Sequence, residues 1–165
     1  MKRFLLPGAL ALTALALSAC GFTPLYGTTG VTPGLAAIET VAPAGRAGYL
    51  LREQLDDVLA RNVNVAPAHR LTFSVDEKRF ARGVRVDNIA NRYELRLKVK
   101  WSLADVRTGT EIRKGETEAA VTYDSADQPY AAIAAQNDGQ ERAAAEVARK
   151  IQLDLANWLA GKAPA

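Results

Sequence analysis

The chain of 165 residues contains one cysteine and one histidine, and these two residues limit the chemistry open to it. Cys20 closes an apolar N-terminal stretch and opens the run Gly21-Phe22-Thr23-Pro24-Leu25-Tyr26-Gly27. A lone thiol can build neither an internal disulfide framework nor a thiolate metal cluster. His69 follows Pro67-Ala68 just ahead of an alternating segment, where it reads as an ordinary surface or strand-edge residue with no assigned role. One histidine leaves a histidine-rich zinc site or a Ser-His-Asp triad short of its parts. Two adjacent carboxylate pairs occur, Asp56-Asp57 and Asp76-Glu77. Neighbours on a helix or strand point in different directions, so neither pair makes a convincing acid–base couple. No G-x-S-x-G, P-loop or zinc-ligand spacing is present. No catalytic residue, metal ligand or cofactor is therefore expected, and the chain does not read as an enzyme. The chemistry that remains is anion recognition. Arg92, Arg96, Lys98 and Lys100 recur at alternate positions, interrupted only by Glu94, and Lys78, Arg79, Arg82 and Arg85 crowd the segment before them. Guanidinium groups suit bidentate contacts to phosphate, and lysines act as point charges.

The total charge does not extend this to nucleic acid. Lys and Arg number 21 against 18 Asp and Glu, a formal net charge of +3, and Lys2 and Arg3 supply most of that excess. Those two residues open MKRFLLPGALALTALALSAC, which has the parts of a secretory signal: a positive start, a short apolar region from Leu5 to Leu17 and small residues at its end. A spanning helix needs about 20 apolar residues, so the segment is short for a membrane span.

The rest of the chain divides by periodicity. Residues 21–34 are rich in glycine, proline and hydroxyls and predict a tether or loop. Leu35 to Val41 predicts a short first strand. From about Ala47 to Arg61, Leu51, Leu55, Val58 and Leu59 recur at helical spacing, widened by Leu50, with Arg52, Glu53, Asp56 and Asp57 opposite. Leu71, Phe73 and Val75 then alternate with polar residues. Tyr93, Leu95, Leu97, Val99, Trp101 and Leu103 do so over more than ten residues, the period of a half-buried strand. Residues 107–110, RTGT, predict a turn, and Glu111 to about Tyr123 a further strand. The C-terminal third predicts helix from Pro129, with Ser125 or Asp127 as caps. Ala144, Val147, Ile151, Leu155 and Trp158 mark its apolar face. Gly139 leaves open one long helix to about residue 160, or a short helix followed by a main one from about 140.

These elements predict an α+β two-layer sandwich: about four strands in a mixed sheet, in the order strand-helix-strand-strand-strand-helix, with both helices on one face and the other face wet. The expected organisation is a signal segment over 1–19, a tether over 20–34, one domain over 35–161 and a flexible tail over 162–165. Trp101 and Trp158 are expected in the core.

Three resemblances sharpen the functional expectation. Leu17-Ser18-Ala19-Cys20 resembles a bacterial lipobox, which implies a diacylglycerol on the Cys20 sulfur, cleavage before Cys20 and acylation of the new amine. Each buried methylene contributes roughly 0.8 kcal/mol, so several chains anchor firmly where one binds reversibly. Gly21 after the cysteine, rather than Asp, resembles the pattern that implies release to the outer membrane. Cys20-Gly21-Phe22-Thr23-Pro24-Leu25-Tyr26-Gly27, the element order, the arginine-rich middle and the helix following PYAAIAAQ resemble the LPS-assembly lipoproteins of the LptE family. That resemblance implies a lipid-anchored plug inside the LPS-translocating outer-membrane β-barrel LptD, which helps the barrel assemble and contacts lipopolysaccharide. It implies the barrel, lipopolysaccharide and the outer membrane as partners, and no nucleic acid. An auxiliary lipoprotein subunit of a periplasmic transport system is the alternative.

On that reading Arg79, Arg82, Arg92, Arg96, Lys98 and Lys100 are the lipopolysaccharide-binding candidates. Glu116 and Glu118 share their facing, so a solvated face of cross-strand ion pairs stands beside direct contact with lipid head groups. Phe22, Leu25 and Tyr26 are the partner-contact candidates, either against the barrel wall or folded back onto their own domain.

Overall fold

The computed structural model describes residues 29–84 and 90–161. It contains a short helix α1 (Val31–Ala36), strand β1 (Ile38–Val41), helix α2 (Arg46–Val58), strands β2 (His69–Val84), β3 (Ala90–Asp105) and β4 (Glu111–Asp124), and a long helix α3 (Pro129–Leu159). The sheet order is β1-β2-β3-β4. β1 runs parallel to β2, and the other neighbours are antiparallel. The helices lie on one face, which makes the α+β two-layer sandwich expected from the periodicity.

The start of the domain differs from expectation. The loop-like segment read through residue 34 gives way to helix at Val31, and the expected strand over 35–41 is confined to Ile38–Val41. Val31 and Leu35 are four residues apart, so they share one helical face, and both are buried. Pro33 falls within the first turn, where its missing N–H has no intrahelical partner to lose. A run of only a few apolar residues reads equally as helix or strand, and here packing chose helix. Thr40 of β1 is buried, and its hydroxyl donates to the Asp56 carboxylate of α2, tying the first strand to the helix that covers it.

The long strands follow their alternation. Leu71 and Phe73 of β2, then Leu95, Leu97, Val99, Trp101 and Leu103 of β3, then Ala119, Val121 and Tyr123 of β4 turn inward and are buried. They meet Leu50, Leu51, Leu55 and Leu59 at the end of α2, and Ala144, Val147, Ile151 and Leu155 from α3. Trp158 is half-buried against this core, and the His69 ring lies 5.3 Å from it. His69 is thus packed rather than free at the surface; burial lowers its pKa and the nearby Asp105 carboxylate opposes that shift. At the turn between β3 and β4 the Asp105 carboxylate accepts from the backbone N–H groups of Arg107 and Thr108, at 2.8 and 3.0 Å.

α3 is one uninterrupted helix of 31 residues. Pro129 starts it, and Gln128 stands at the cap position expected for Ser125 or Asp127, without a side-chain bond. Gly139 does not break it. It is buried where the helix crosses Tyr123, and a Cβ there would lie 2.9 Å from Cδ1 of that ring. A second glycine serves the other end of the sheet. A Cβ on Gly115 would lie 2.5 Å from Cζ2 of Trp101, whose indole donates to the Thr117 hydroxyl at 3.2 Å. Gly115→Val is expected to destabilise the fold by about 1–3 kcal/mol through overpacking. A lowered denaturant midpoint checks this, and an unchanged midpoint would mean that the indole moves aside freely.

Candidate anion-facing sheet surface

The outer face of the sheet is built from the residues that alternate with the core. β3 contributes Arg92, Glu94, Arg96, Lys98 and Lys100 to it, because Tyr93 to Leu103 use the odd positions for the interior. β2 contributes Asp76, Lys78, Phe80 and Arg82, and β4 contributes Glu116, Glu118 and Asp124. The antiparallel registers place Lys98 between Asp76 and Glu118, and Lys100 between Ser74 and Glu116.

The centre of this surface is Glu94. Its carboxylate accepts from Arg82 Nε at 2.8 Å and from Arg96 Nε at 2.5 Å. Both guanidinium groups lie over the Phe80 ring, at 5.7 and 5.2 Å from its centroid. The ring holds two like charges side by side by its negative π-face, and Glu94 between them relieves their repulsion. Hydrogen bonds from Arg82 and then Arg96 hold the Glu94 carboxyl down at about 2. A carboxylate with a depressed pKa adds stability above its ordinary value of 4.5 and loses that contribution as pH falls through its folded value. An NMR titration should therefore find the Glu94 midpoint near 2. A midpoint at the ordinary value would mean that the cluster opens in solution.

The flanks are also paired. Arg92 Nε bonds Asp124 at 2.7 Å, Lys98 Nζ lies 2.6 Å from Glu116, and Lys78 lies 3.2 Å from Asp76. The Asp124 carboxyl is lowered by Arg92, and Lys98 is raised by its bond to Glu116. Lys100 makes no ion pair among the described residues. It lines a shallow groove of about 440 Å³ together with Thr72, Ser74, Ser102, Lys114 and the carboxylates Glu111 and Glu116.

The structure thus brings together Arg82, Arg92, Arg96, Lys98 and Lys100 on one face. It does not place Arg79 with them. Arg79 is an odd-numbered residue of β2 and turns to the helix side, where it lies 4.9 Å over the Tyr93 ring and donates to Gln136 of α3 at 2.8 Å. Its neighbour Glu77 on the same side accepts from Gln140. The segment Lys78–Arg82, expected as a crowded connection, is itself strand, so alternation splits its cations between two faces. Phe80 and Lys114 were not foreseen. Phe80 carried a signal, a large apolar residue at an outward position between cations, whereas the groove beside Lys114 depends on cross-strand register. Cys20, Phe22, Leu25, Tyr26 and Arg85 lie outside the described residues. Among the described residues, no helix is long and apolar enough to cross a membrane.

Comparison with known proteins agrees with this architecture. A crystal structure from Caulobacter crescentus shares 65% sequence identity, covering 82% of this chain and 99% of that chain with a TM-score of 0.73. A minor lipoprotein from Acinetobacter baumannii is 19% identical over 72% of this chain and 87% of its own, with a TM-score of 0.53. Rare lipoprotein B from Shewanella oneidensis is 16% identical over 73% and 92%, with a TM-score of 0.51. At such identities these two show the shared fold. No curated protein matches the chain. Residues 35–155 match the model of the LptE family, described as lipopolysaccharide-assembly. The chain belongs to the LptE family of lipopolysaccharide-assembly proteins.

Proposed function

We propose that this chain is an outer-membrane lipoprotein, anchored through lipid on Cys20, that plugs and helps assemble the lipopolysaccharide-translocating β-barrel LptD and touches lipopolysaccharide on its way to the outer leaflet. The role is structural and lipid-handling rather than enzymatic. The observation that carries this reading is the family match over residues 35–155, joined to the Leu17-Ser18-Ala19-Cys20 motif at a spacing that leaves a short tether. The paired cations of the outer sheet face support it. Phosphate oxygens can compete for guanidinium donors that Glu94 and Asp124 now hold, and charge-assisted bonds of this kind are among the strongest available at a surface. On this reading Phe22, Leu25 and Tyr26 pack against the barrel wall near the membrane.

Mass spectrometry of the native polypeptide tests the anchor. The mature N-terminus should be Cys20 carrying acyl chains, and Cys20→Ser should abolish that acylated N-terminus. An unacylated Cys20, or a mature N-terminus elsewhere, would remove the anchor from the account.

A further inference from the structure

The two edges of the sheet are unlike. β1 has four residues and is followed by Ala42-Pro43, a short edge of the kind that discourages strand addition. β4 has 14 residues and no proline, and its one register irregularity lies at its start, opposite Leu103 and Ala104. In an antiparallel pair a residue's N–H and C=O point to the same side. The carbonyls of Glu118 and Thr122 point away from β3, since they accept from Lys150 Nζ at 2.8 Å and Arg142 Nη2 at 3.3 Å. By alternation, Ala120 presents its own N–H and C=O to that open side. Along it, between β4 and α3, runs a groove of about 500 Å³ walled by Val121, Ala145, Glu146, Arg149 and Leu153.

We propose that this edge accepts an extended polypeptide segment as a fifth strand, one whose alternate side chains are carboxylates facing α3. The backbone of such a segment satisfies the edge groups of Glu118, Ala120 and Thr122 that β3 does not reach. Its carboxylates meet Arg142, Arg149 and Lys150, three cations against the two carboxylates Asp138 and Glu146. Arg142 and Lys150 are about half exposed and otherwise held by carboxylates one turn away, Asp138 and Glu146, so they can swing from the edge carbonyls to the incoming strand. Arg149 Nε donates to the Ala145 carbonyl of its own helix at 3.3 Å. On the outer side of β4, Lys98 and Arg92 are already engaged by Glu116 and Asp124, and Glu118 lies between them, so that side offers an incoming carboxylate less than the three cations of α3 do. Cations across an edge bar strands that lack that complement. The same outer carboxylates argue against a second copy of this chain. Antiparallel pairing of two β4 strands about Glu118 sets that residue against itself, and pairing about Ala120 sets Glu116 against Asp124; like charges directly opposed are unfavourable.

The test uses the purified chain and two synthetic peptides of about ten residues, the upper range of ordinary strands, one alternating threonine with glutamate and one threonine with lysine. The glutamate peptide should bind saturably and slow amide hydrogen exchange at Glu118, Ala120 and Thr122, and the lysine peptide should not. Ala120→Pro removes an edge N–H without touching the ladder to β3. It should weaken binding by about tenfold, the scale of one or two lost hydrogen bonds, while circular dichroism shows the native fold. Arg149→Glu should weaken the glutamate peptide by a similar factor and serves alone if Ala120→Pro does not fold. Absent binding, equal binding of both peptides, or binding indifferent to these variants would overturn the proposal. So would concentration-dependent self-association abolished by Ala120→Pro, which would give the edge to a second copy.

Discussion

Replacing Arg82 and Arg96 together by glutamate is expected to weaken binding of purified lipopolysaccharide by tenfold or more, with the fold intact. Hydrogen bonds to charged groups contribute about 1.5–3 kcal/mol each, so the loss of even one such contact accounts for that factor. The reversal would also set two new carboxylates beside Glu94. The informative partner variant is Glu94→Gln, which releases both guanidinium groups from their present acceptor. If the face serves only as a solvated, self-neutralising ladder, neither variant alters lipid binding. If it contacts lipid phosphates, the two variants move affinity in opposite directions, with Glu94→Gln tightening it. Arg79→Glu provides the internal control, since Arg79 lies on the helix side against Tyr93 and Gln136. Binding can be followed by titration against lipopolysaccharide, with circular dichroism as the check on folding.

The largest effect on stability is expected in the C-terminal half of α3. Ile151→Ala removes a side chain with no exposed surface from the helix that covers β3 and β4. Such truncations cost about 2–5 kcal/mol, because the surrounding core closes only part of the cavity. In a domain of this size that lowers the melting temperature by on the order of 10 °C. Thermal unfolding followed by far-ultraviolet dichroism measures it. The neighbouring Leu153→Ala, at a position 47% exposed, should change the midpoint far less. Comparable losses at both positions would mean that the face of α3 turned toward the sheet is not the one described.

Much of this fold could be read from period alone. The β3 alternation from Tyr93 to Leu103 is long enough to fix which residues turn inward, and the antiparallel neighbours inherit their facing from it. α2 was legible because Leu51, Leu55 and Leu59 recur one turn apart. The α1 helix was not, since six residues carrying Pro33 and Gly34 give too few turns for a period to show. Gly139 carried two readings until the packing of Tyr123 against it gave its reason. The candidate site was legible in its residue types and partly in its pairing, with Glu116 and Glu118 foreseen as counter-charges on the next strand. The exact register was not, so the diagonal Lys98–Glu116 pair replaced a direct one. Arg79 lies apart from the other candidate cations for a simple physical cause. Cations adjacent in sequence look like one cluster until it is known that the segment is strand, and strand sends neighbours to opposite faces. The stacking of Arg82 and Arg96 on Phe80 arises from three residues on two strands and has no linear signature.

Affinity purification of the native protein from detergent-solubilised membranes tests the functional account most directly. The account predicts that the chain elutes in a stable complex with a large outer-membrane β-barrel, identified by mass spectrometry, and that lipopolysaccharide accompanies the pair. Elution with an inner-membrane ATPase and no barrel would contradict it.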